Sequence, residues 1–327
     1  MSSEQKKDFS SLQIYSVLKP KNKPILQFLE IGNNNYFLLL PLDGDVEIYS
    51  KKAFTFLLSI PKTIHSEKIT RITELKNGFL VSTSEDHTAK ILKIDYENKS
   101  YEEIQTLEGH TSRVWMSLEL SDGKLATCSN DKTIRVWMKD PANNKYELFK
   151  SLSTGYDEVA EMLETKNKIL VTCSVFDAQY QVQFWSVETY QQIGVVEEIA
   201  TCGGRDLIQL TDDIICVNGS RDEEGLQLIS ISKKQKVKHL KDFNENKIDS
   251  FFAKDGTLLI GCGEADFDNF DDPKNFGTIK QYKFDENKLE LTEICVKEKC
   301  HSFPVLGFYE MSNGEFVTFS TEINFWK

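Results

Sequence analysis

Arginine and excess positive charge are scarce in this sequence. Only five of its 39 basic residues are arginines, 51 residues are acidic, and the formal net charge is −12 at pH 7. Nucleic acids and anionic membranes are bound by clustered positive charge, and bidentate recognition of phosphates or base edges depends mainly on arginine. We therefore expect no direct binding of nucleic acid.

Long apolar runs are missing as well. The longest, 36–40 and 53–60, are far shorter than the roughly 20 residues of a membrane helix, so we expect no membrane insertion. The N-terminal segment MSSEQKKDFSS has no apolar stretch either, and we expect no signal peptide there. These absences, together with scattered cysteines, predict an intracellular protein in the cytoplasm, with the nucleus as the alternative.

Motifs for catalysis, cofactors and metals are also absent. The sequence contains no GxxxxGK[ST], GxGxxG, GxSxG or CxxC segment. Cys295, Cys300 and His301 form a loose cluster that is too scattered for a zinc site. We expect no catalytic residue, no cofactor and no metal ion. Four further cysteines lie in or beside apolar, β-like runs, and we expect them to be buried, reduced thiols. These four are Cys128, Cys173, Cys216 and Cys262.

An internal repeat runs through nearly the whole chain. A polar turn followed by a short apolar run recurs seven times, mostly at steps of about 45 residues. The copies are 33–40, 76–83, 121–128, 166–173, 211–218, 254–261 and 312–319. Asn-Gly and Asp-Gly pairs predict hairpin turns with positive φ at both central residues. Other β-like runs flank each copy, and four short antiparallel strands per 45 residues is the period of a β-propeller.

A second periodicity joins a histidine, a hydroxyl and an acid. In three copies the hydroxyl follows the histidine by 17 residues and the acid follows four residues later. The three sets are His110, Thr127 and Asp131; His65, Ser82 and Asp86; and His301, Thr318 and Glu322. We interpret them as structural hydrogen-bond networks that end on a tryptophan ring, Trp137 or Trp326. A hydrolase triad of His110, Ser129 and Asp131 is the alternative that this spacing disfavours.

The segment Leu107–Trp137 resembles a repeat of the WD-repeat β-propeller family. Gly109, His110, Asp131 and Trp137 stand where that family has its signature residues, whereas Met138 replaces the usual second signature residue, Asp. Other copies depart further: the second keeps His65 but has Leu92 in place of the tryptophan, and three copies keep little of the signature.

The resemblance implies one all-β domain over 9–327, a seven-bladed propeller of four-stranded antiparallel blades, after a disordered tail over 1–8. The last blade supplies only three strands, so we expect a strand at about 11–18 to complete it and close the ring. The expected blades are 24–62, 63–106, 107–151, 152–197, 198–241, 242–297, and 298–327 together with 9–19.

The strongest departure from the repeat is the acidic segment Gly263–Gly277. Its acids and phenylalanines predict a binding loop on the face that also carries the Gly-His loops, and a purely solvated loop is the alternative. We predict a basic peptide or domain as partner of this acidic face. The candidate partner-binding residues are Asp222, Glu223, Glu224, Glu264, Asp266, Phe267, Asp268, Phe270, Asp271, Asp272, Tyr180 and Arg113.

By its resemblance to the family, the chain is predicted to be a non-enzymatic scaffold or adaptor for protein–protein interaction. Two alternatives remain. The first is a stoichiometric subunit of a large fixed assembly, such as a coat, ciliary or ribonucleoprotein complex. The second is a small-molecule binder or enzyme that uses the central channel, where the innermost strands offer Glu74 and Glu119.

Overall fold

A computed structural model shows seven four-stranded antiparallel sheets, the blades of a closed β-propeller. The structure describes residues 12–21, 24–155, 158–174, 181–197, 199, 202–219, 225–240, 247–264 and 276–327. The expected tail over 1–8 lies outside these residues. The predicted fold class, blade count and antiparallel sheets are confirmed.

Blades 1 to 4 each take four consecutive strands, from the central channel outward. Blade 1 contains β2 (Ile25–Ile31), β3 (Tyr36–Pro41), β4 (Val46–Ser50) and β5 (Thr55–Ile60). Blade 2 contains β6 (Ile69–Glu74), β7 (Leu80–Ser84), β8 (Ala89–Asp95) and β9 (Ser100–Leu107). Blade 3 contains β10 (Val114–Glu119), β11 (Leu125–Ser129), β12 (Thr133–Lys139) and β13 (Tyr146–Ser153). Blade 4 contains β14 (Val159–Glu164), β15 (Ile169–Ser174), β16 (Val182–Ser186) and β17 (Gln192–Val196).

Blades 5 and 6 follow the same order, and blade 7 combines both ends of the chain. Blade 5 contains β18 (Cys202–Gln209), β19 (Ile214–Gly219), β20 (Leu226–Ser230) and β21 (Gln235–Leu240). Blade 6 contains β22 (Lys247–Phe252), β23 (Thr257–Glu264), β24 (Phe276–Asp285) and β25 (Glu290–His301). Blade 7 contains β26 (Gly307–Glu310), β27 (Phe316–Phe319), β28 (Ile323–Trp326) and the N-terminal β1 (Ile14–Leu18).

Strand β1 closes the ring as predicted. It pairs antiparallel with β28, where Ile14 lies opposite Trp326 and Leu18 opposite Ile323. Backbone hydrogen bonds of 3.0 Å join Gln13 and Lys327 in both directions, so the two ends of the described chain belong to one sheet. Closure leaves only short sheet edges at the rim.

The turn between the first and second strand of a blade explains the repeated Asn-Gly and Asp-Gly pairs. Gly78 and Gly123 adopt φ of 82° and 84°, a region that favours glycine. The residues before them do not have positive φ, so the expectation of positive φ at both central positions is wrong. Instead, the side chain of Asn77 accepts the Phe79 N–H at 3.0 Å, and Asp122 accepts the Lys124 N–H at 3.1 Å. Such Asx turns need only one left-handed residue.

The hydrophobic core lies in the wedges between neighbouring blades. One cluster packs Leu75 and Val81 of blade 2 against Leu125 and Trp137 of blade 3, all buried. The reduced state expected for the cysteines is wrong for Cys173, which is disulfide-bonded. Cys128 is a free thiol, and complete burial raises its pKa.

Glutamates at the end of the first strand tie neighbouring blades together. Each accepts a hydrogen bond from a backbone N–H in the first turn of the preceding blade. The five pairs are Gly32 N–Glu74 (2.7 Å), Lys76 N–Glu119 (2.6 Å), Ser121 N–Glu164 (2.7 Å), Lys254 N–Glu310 (2.8 Å) and Ser312 N–Glu30 (2.6 Å). Blades 5 and 6 have Gln209 and Phe252 at this position. We name these five contacts the carboxylate latches.

Candidate functional site

The alternating strand directions place two sets of loops on one face, which we call the top face. It carries the turns between second and third strands and the connections from each blade to the next. His110 lies in such a connection, between β9 and β10, and is buried. Its Nδ1 is 2.7 Å from Asp131 Oδ2, and its Nε2 is 2.8 Å from Thr127 Oγ1. The indole N–H of Trp137 donates to the same Thr127 oxygen at 2.9 Å.

This constellation is a structural network and not a nucleophilic triad. The Ser129 hydroxyl donates to the Ser112 carbonyl at 3.1 Å and accepts the Asp131 N–H at 3.0 Å, while His110 bonds to Thr127 instead. Burial lowers the pKa of His110. Burial alone would raise the pKa of Asp131, but hydrogen bonds from His110 and Thr133 outweigh burial and hold this pKa well below its usual range. A neutral histidine beside an ionised aspartate is thus fixed between the loop and the strands.

Blade 2 contains the same arrangement. His65 Nδ1 lies 2.8 Å from Asp86 and its Nε2 lies 2.9 Å from Ser82. Because Leu92 stands where blade 3 has its tryptophan, no indole completes the chain here.

Blade 7 keeps the hydroxyl and the tryptophan but has a looser acid contact. His301 Nε2 lies 2.6 Å from Thr318 Oγ1, which also accepts the Trp326 N–H at 2.8 Å. The Glu322 carboxylate is 3.8 Å from His301 Nδ1. Burial lowers the pKa of His301 to about 3, so this imidazole is neutral in the folded protein at physiological pH.

On the top face, Arg113 and Trp115 form a partly exposed pair beside the channel. The guanidinium carbon of Arg113 lies 4.7 Å from the centre of the Trp115 ring. One end of the guanidinium pairs with Glu85 of blade 2 at 3.0 Å. The Trp115 N–H donates to Asn130, whose backbone N–H donates to the Arg113 carbonyl at 3.0 Å. Ring and guanidinium are therefore held in one orientation by two blades.

The wall of the central channel contains an ion pair that crosses blade 3. Arg71 of blade 2 reaches Glu161 of blade 4 with two contacts, at 3.0 and 3.3 Å, and passes Met116 at 3.4 Å from its sulfur. Each of the three residues directly follows a bulge at the start of its innermost strand. Such bulges redirect side chains. Glu74 and Glu119, the two channel residues considered from sequence, instead accept backbone N–H groups as carboxylate latches.

Most of the predicted partner-binding residues are not among those that the structure describes. Asp222, Glu223, Glu224, Asp266, Phe267, Asp268, Phe270, Asp271, Asp272 and Tyr180 lie outside the described residues, and so does the Glu264 side chain. The strands next to these loops end on the top face, where Arg113 also lies. Among the described residues, no group of three or more acidic, histidine or cysteine side chains could hold a metal ion. None of the helical segments in that part of the chain has the length and apolarity to cross a membrane.

Comparison with known proteins finds a matching repeat and similar solved structures. A family model described as WD domain, G-beta repeat matches residues 101–138. The match spans one repeat, from within β9 to within β12, of the seven-bladed β-propeller. A solved structure entitled "Crystal Structure of Mitotic Checkpoint Complex" is similar with a TM-score of 0.71 and 15% identity, over 100% of this chain and 96% of the other. The structure of the WD40 β-propeller domain of Doa1 is similar with a TM-score of 0.68 and 14% identity, over 98% of both chains. A search of curated protein sequences found no significant match.

WD-repeat propellers generally act as protein-interaction scaffolds and are typically not enzymes. Arg113 was predicted from the sequence as a partner-binding residue, whereas Trp115, Asn130 and Glu85 around it were not. A tryptophan two residues after the arginine, on a first strand, was the available signal.

Proposed function

We propose that this WD-repeat propeller is a non-enzymatic protein-interaction scaffold that binds its partner on the top face. The observation that carries the proposal is the Arg113–Trp115 pair, which is partly exposed and held by Glu85 and Asn130. Tryptophan and arginine are the residue types enriched at binding hot spots. A pair that is already ordered loses little side-chain entropy on binding, which favours affinity.

The partner is a basic peptide or domain, and the protein acts in the cytoplasm. The net charge of −12 supports a basic partner. So do the acidic residues of 221–224 and 264–272, which in the sequence lie at or after the ends of β19 and β23. Opposite charges across an interface accelerate association and increase specificity, and their effect weakens with salt.

Affinity purification from the native source with quantitative mass spectrometry tests the proposal. Trp115→Ala and Arg113→Ala should each reduce partner recovery about tenfold or more, the range of a hot spot. Phe56→Ala is the matched control, because Phe56 is 55% exposed on an outer strand. Recovery that falls equally with Phe56→Ala, or that persists in both top-face variants, would contradict the proposal.

The charge of the partner is tested by a second variant. Replacing Asp266, Asp268, Asp271 and Asp272 with Asn should weaken recovery of basic partners and flatten its dependence on salt. Unchanged recovery with an unchanged salt dependence would argue against the acidic face. The same purification distinguishes an adaptor from a subunit of a fixed assembly, because a subunit is recovered in constant stoichiometry with its neighbours.

A further inference from the structure

A cavity of about 370 Å³ opens on the top face between blades 1 and 2. One wall is the turn from β3 to β4, with Leu42 and Asp43, and the other is the connection from β5 to β6, with Lys62, Ser66 and Glu67. Ligand pockets typically measure about 300–1,000 Å³. This cavity is therefore large enough for a single bulky side chain.

Hydrogen bonds hold both walls in place. The Lys62 N–H donates to Asp45 at 3.0 Å, and its ammonium group donates to Asp43 at 2.7 Å, so the two walls are joined directly. The second wall is fixed again by Asp86, which contacts His65 at 2.8 Å and accepts the Ser66 N–H at 3.1 Å. The cavity is thus formed before any ligand binds, which reduces the entropy cost of binding.

Apolar and polar residues both line the cavity. Its apolar lining is Leu40, Pro41, Leu42 and Ile69, of which Leu42 is 38% exposed and the other three are buried. An exposed leucine beside other apolar residues favours contact with another apolar group. An aliphatic side chain is the occupant that this lining fits.

Some charged side chains that line the cavity form ion pairs with each other and others do not. Lys62, by hydrogen bond and charge, and Lys68, by charge, both lower the pKa of the Asp43 carboxyl group. Lys62 is paired with Asp43 at 2.7 Å, whereas Lys68 forms no ion pair with another described residue. Glu67 is exposed and makes no ion pair with another described residue. The carboxylate of Glu67 is the rim charge that a ligand can neutralise.

We infer that this cavity binds a leucine-sized side chain of a partner peptide, with an adjacent basic residue paired to Glu67. The inference rests on the proposed function, because it assigns an anchor site on the same top face. It differs from that proposal in its position, which is in blades 1 and 2 and away from the Arg113–Trp115 pair.

Fluorescence anisotropy with a defined peptide tests the inference on the purified full chain. The probe is a labelled peptide with the core Arg-Leu-Arg between Gly-Ser flanks. Changing its leucine to serine should weaken binding about tenfold, since burying a leucine is worth at least that factor. Changing both arginines to glutamate should weaken it further.

Two pairs of protein variants locate the site. Ser66→Trp places an indole in the cavity and should abolish probe binding. Thr111→Trp is its matched control, because Thr111 is exposed and follows His110 in blade 3 as Ser66 follows His65 in blade 2. Glu67→Gln should reduce the affinity about threefold and flatten the salt dependence, whereas Glu108→Gln should not.

The result that overturns the inference is a Ser66→Trp protein that binds the probe like the wild type, or a wild type that does not bind it. Either outcome leaves the scaffold proposal standing if Trp115→Ala still reduces recovery of the native partner. Loss of probe binding in Ser66→Trp but not in Thr111→Trp would support the inference. Melting temperatures of all four variants show whether each one is folded.

Discussion

Replacing Glu161 with methionine should destabilise the propeller by about 2–3 kcal/mol. Breaking a buried ion pair costs about 3–5 kcal/mol, because the remaining charge is left without a partner. The Arg71 and Glu161 side chains are 17% and 11% exposed, so solvent screens part of this cost. Arg71→Met should have a similar effect. The double variant Arg71→Met/Glu161→Met removes both charges and should lie within about 1 kcal/mol of the wild type.

A double-mutant cycle measures this coupling. Urea unfolding followed by tryptophan fluorescence gives each free energy, and a constant slope with denaturant shows that the variants are comparable. We expect a coupling of at least about 2 kcal/mol between Arg71 and Glu161. Lys166 and Asp212 form the control pair, 80% and 75% exposed, with an expected coupling of less than about 0.5 kcal/mol. A coupling for Arg71 and Glu161 as small as that of the control would refute the idea that the channel pair ties blades 2 and 4.

Three further predictions concern the rest of the ring. Burial lowers the pKa of His301 to about 3 from its ordinary 6.5. As the pH falls, this histidine is protonated in the unfolded chain before it is protonated in the folded protein. The free energy of unfolding should therefore fall by about 1.4 kcal/mol per pH unit below about pH 6.5. His301→Gln should reduce this pH dependence, as measured by urea unfolding at a series of pH values. Glu119→Ala should lower the free energy of unfolding by about 2 kcal/mol, because it removes a carboxylate latch. Gln209→Ala changes the matching position of blade 5, which has no glutamate, and should lower it by less than about 0.5 kcal/mol. Equal losses in the two variants would contradict a stabilising role of the latches. Thr127→Val should cost more than about 2 kcal/mol in thermal and urea unfolding, because His110 and Trp137 both lose their partner, and a smaller loss would contradict that network.

The sequence was sufficient to predict the architecture because the repeat is local. Each Asn-Gly or Asp-Gly turn, such as those at Gly78 and Gly123, lies between two β-like runs, and the spacing counts the blades. The unassigned run that became β1 was predicted to close the ring because the last blade lacked a fourth strand. These conclusions need no knowledge of how distant side chains meet.

Contacts between blades were harder to predict. Arg71 and Glu161 are 90 residues apart, and they meet because strand bulges aim both side chains along the channel wall past Met116. The spacing of the repeat does not show in which direction these side chains point. The glutamates of the carboxylate latches do recur at 44 or 45 residues in Glu30, Glu74, Glu119 and Glu164. That signal was available, but its meaning depends on the turn of the preceding blade.

The disulfide at Cys173 shows a different limit of sequence reasoning. Its apolar surroundings correctly predicted burial, since its exposed fraction is 2%. The same surroundings do not determine which sulfur lies nearby, because a disulfide depends on the distance and orientation of two residues in the folded chain. The oxidation state of this thiol could therefore not be predicted from spacing.

Hydrogen–deuterium exchange of the protein with its purified partner bound is the most direct test of a top-face scaffold. We expect slower exchange in the top-face connections, from Gly109 to Val114 and from Lys62 to Lys68. We expect unchanged exchange in the turns on the opposite face, such as 75–79 and 120–124. Slower exchange in those turns, with unchanged exchange from Gly109 to Val114, would contradict a partner site on the top face.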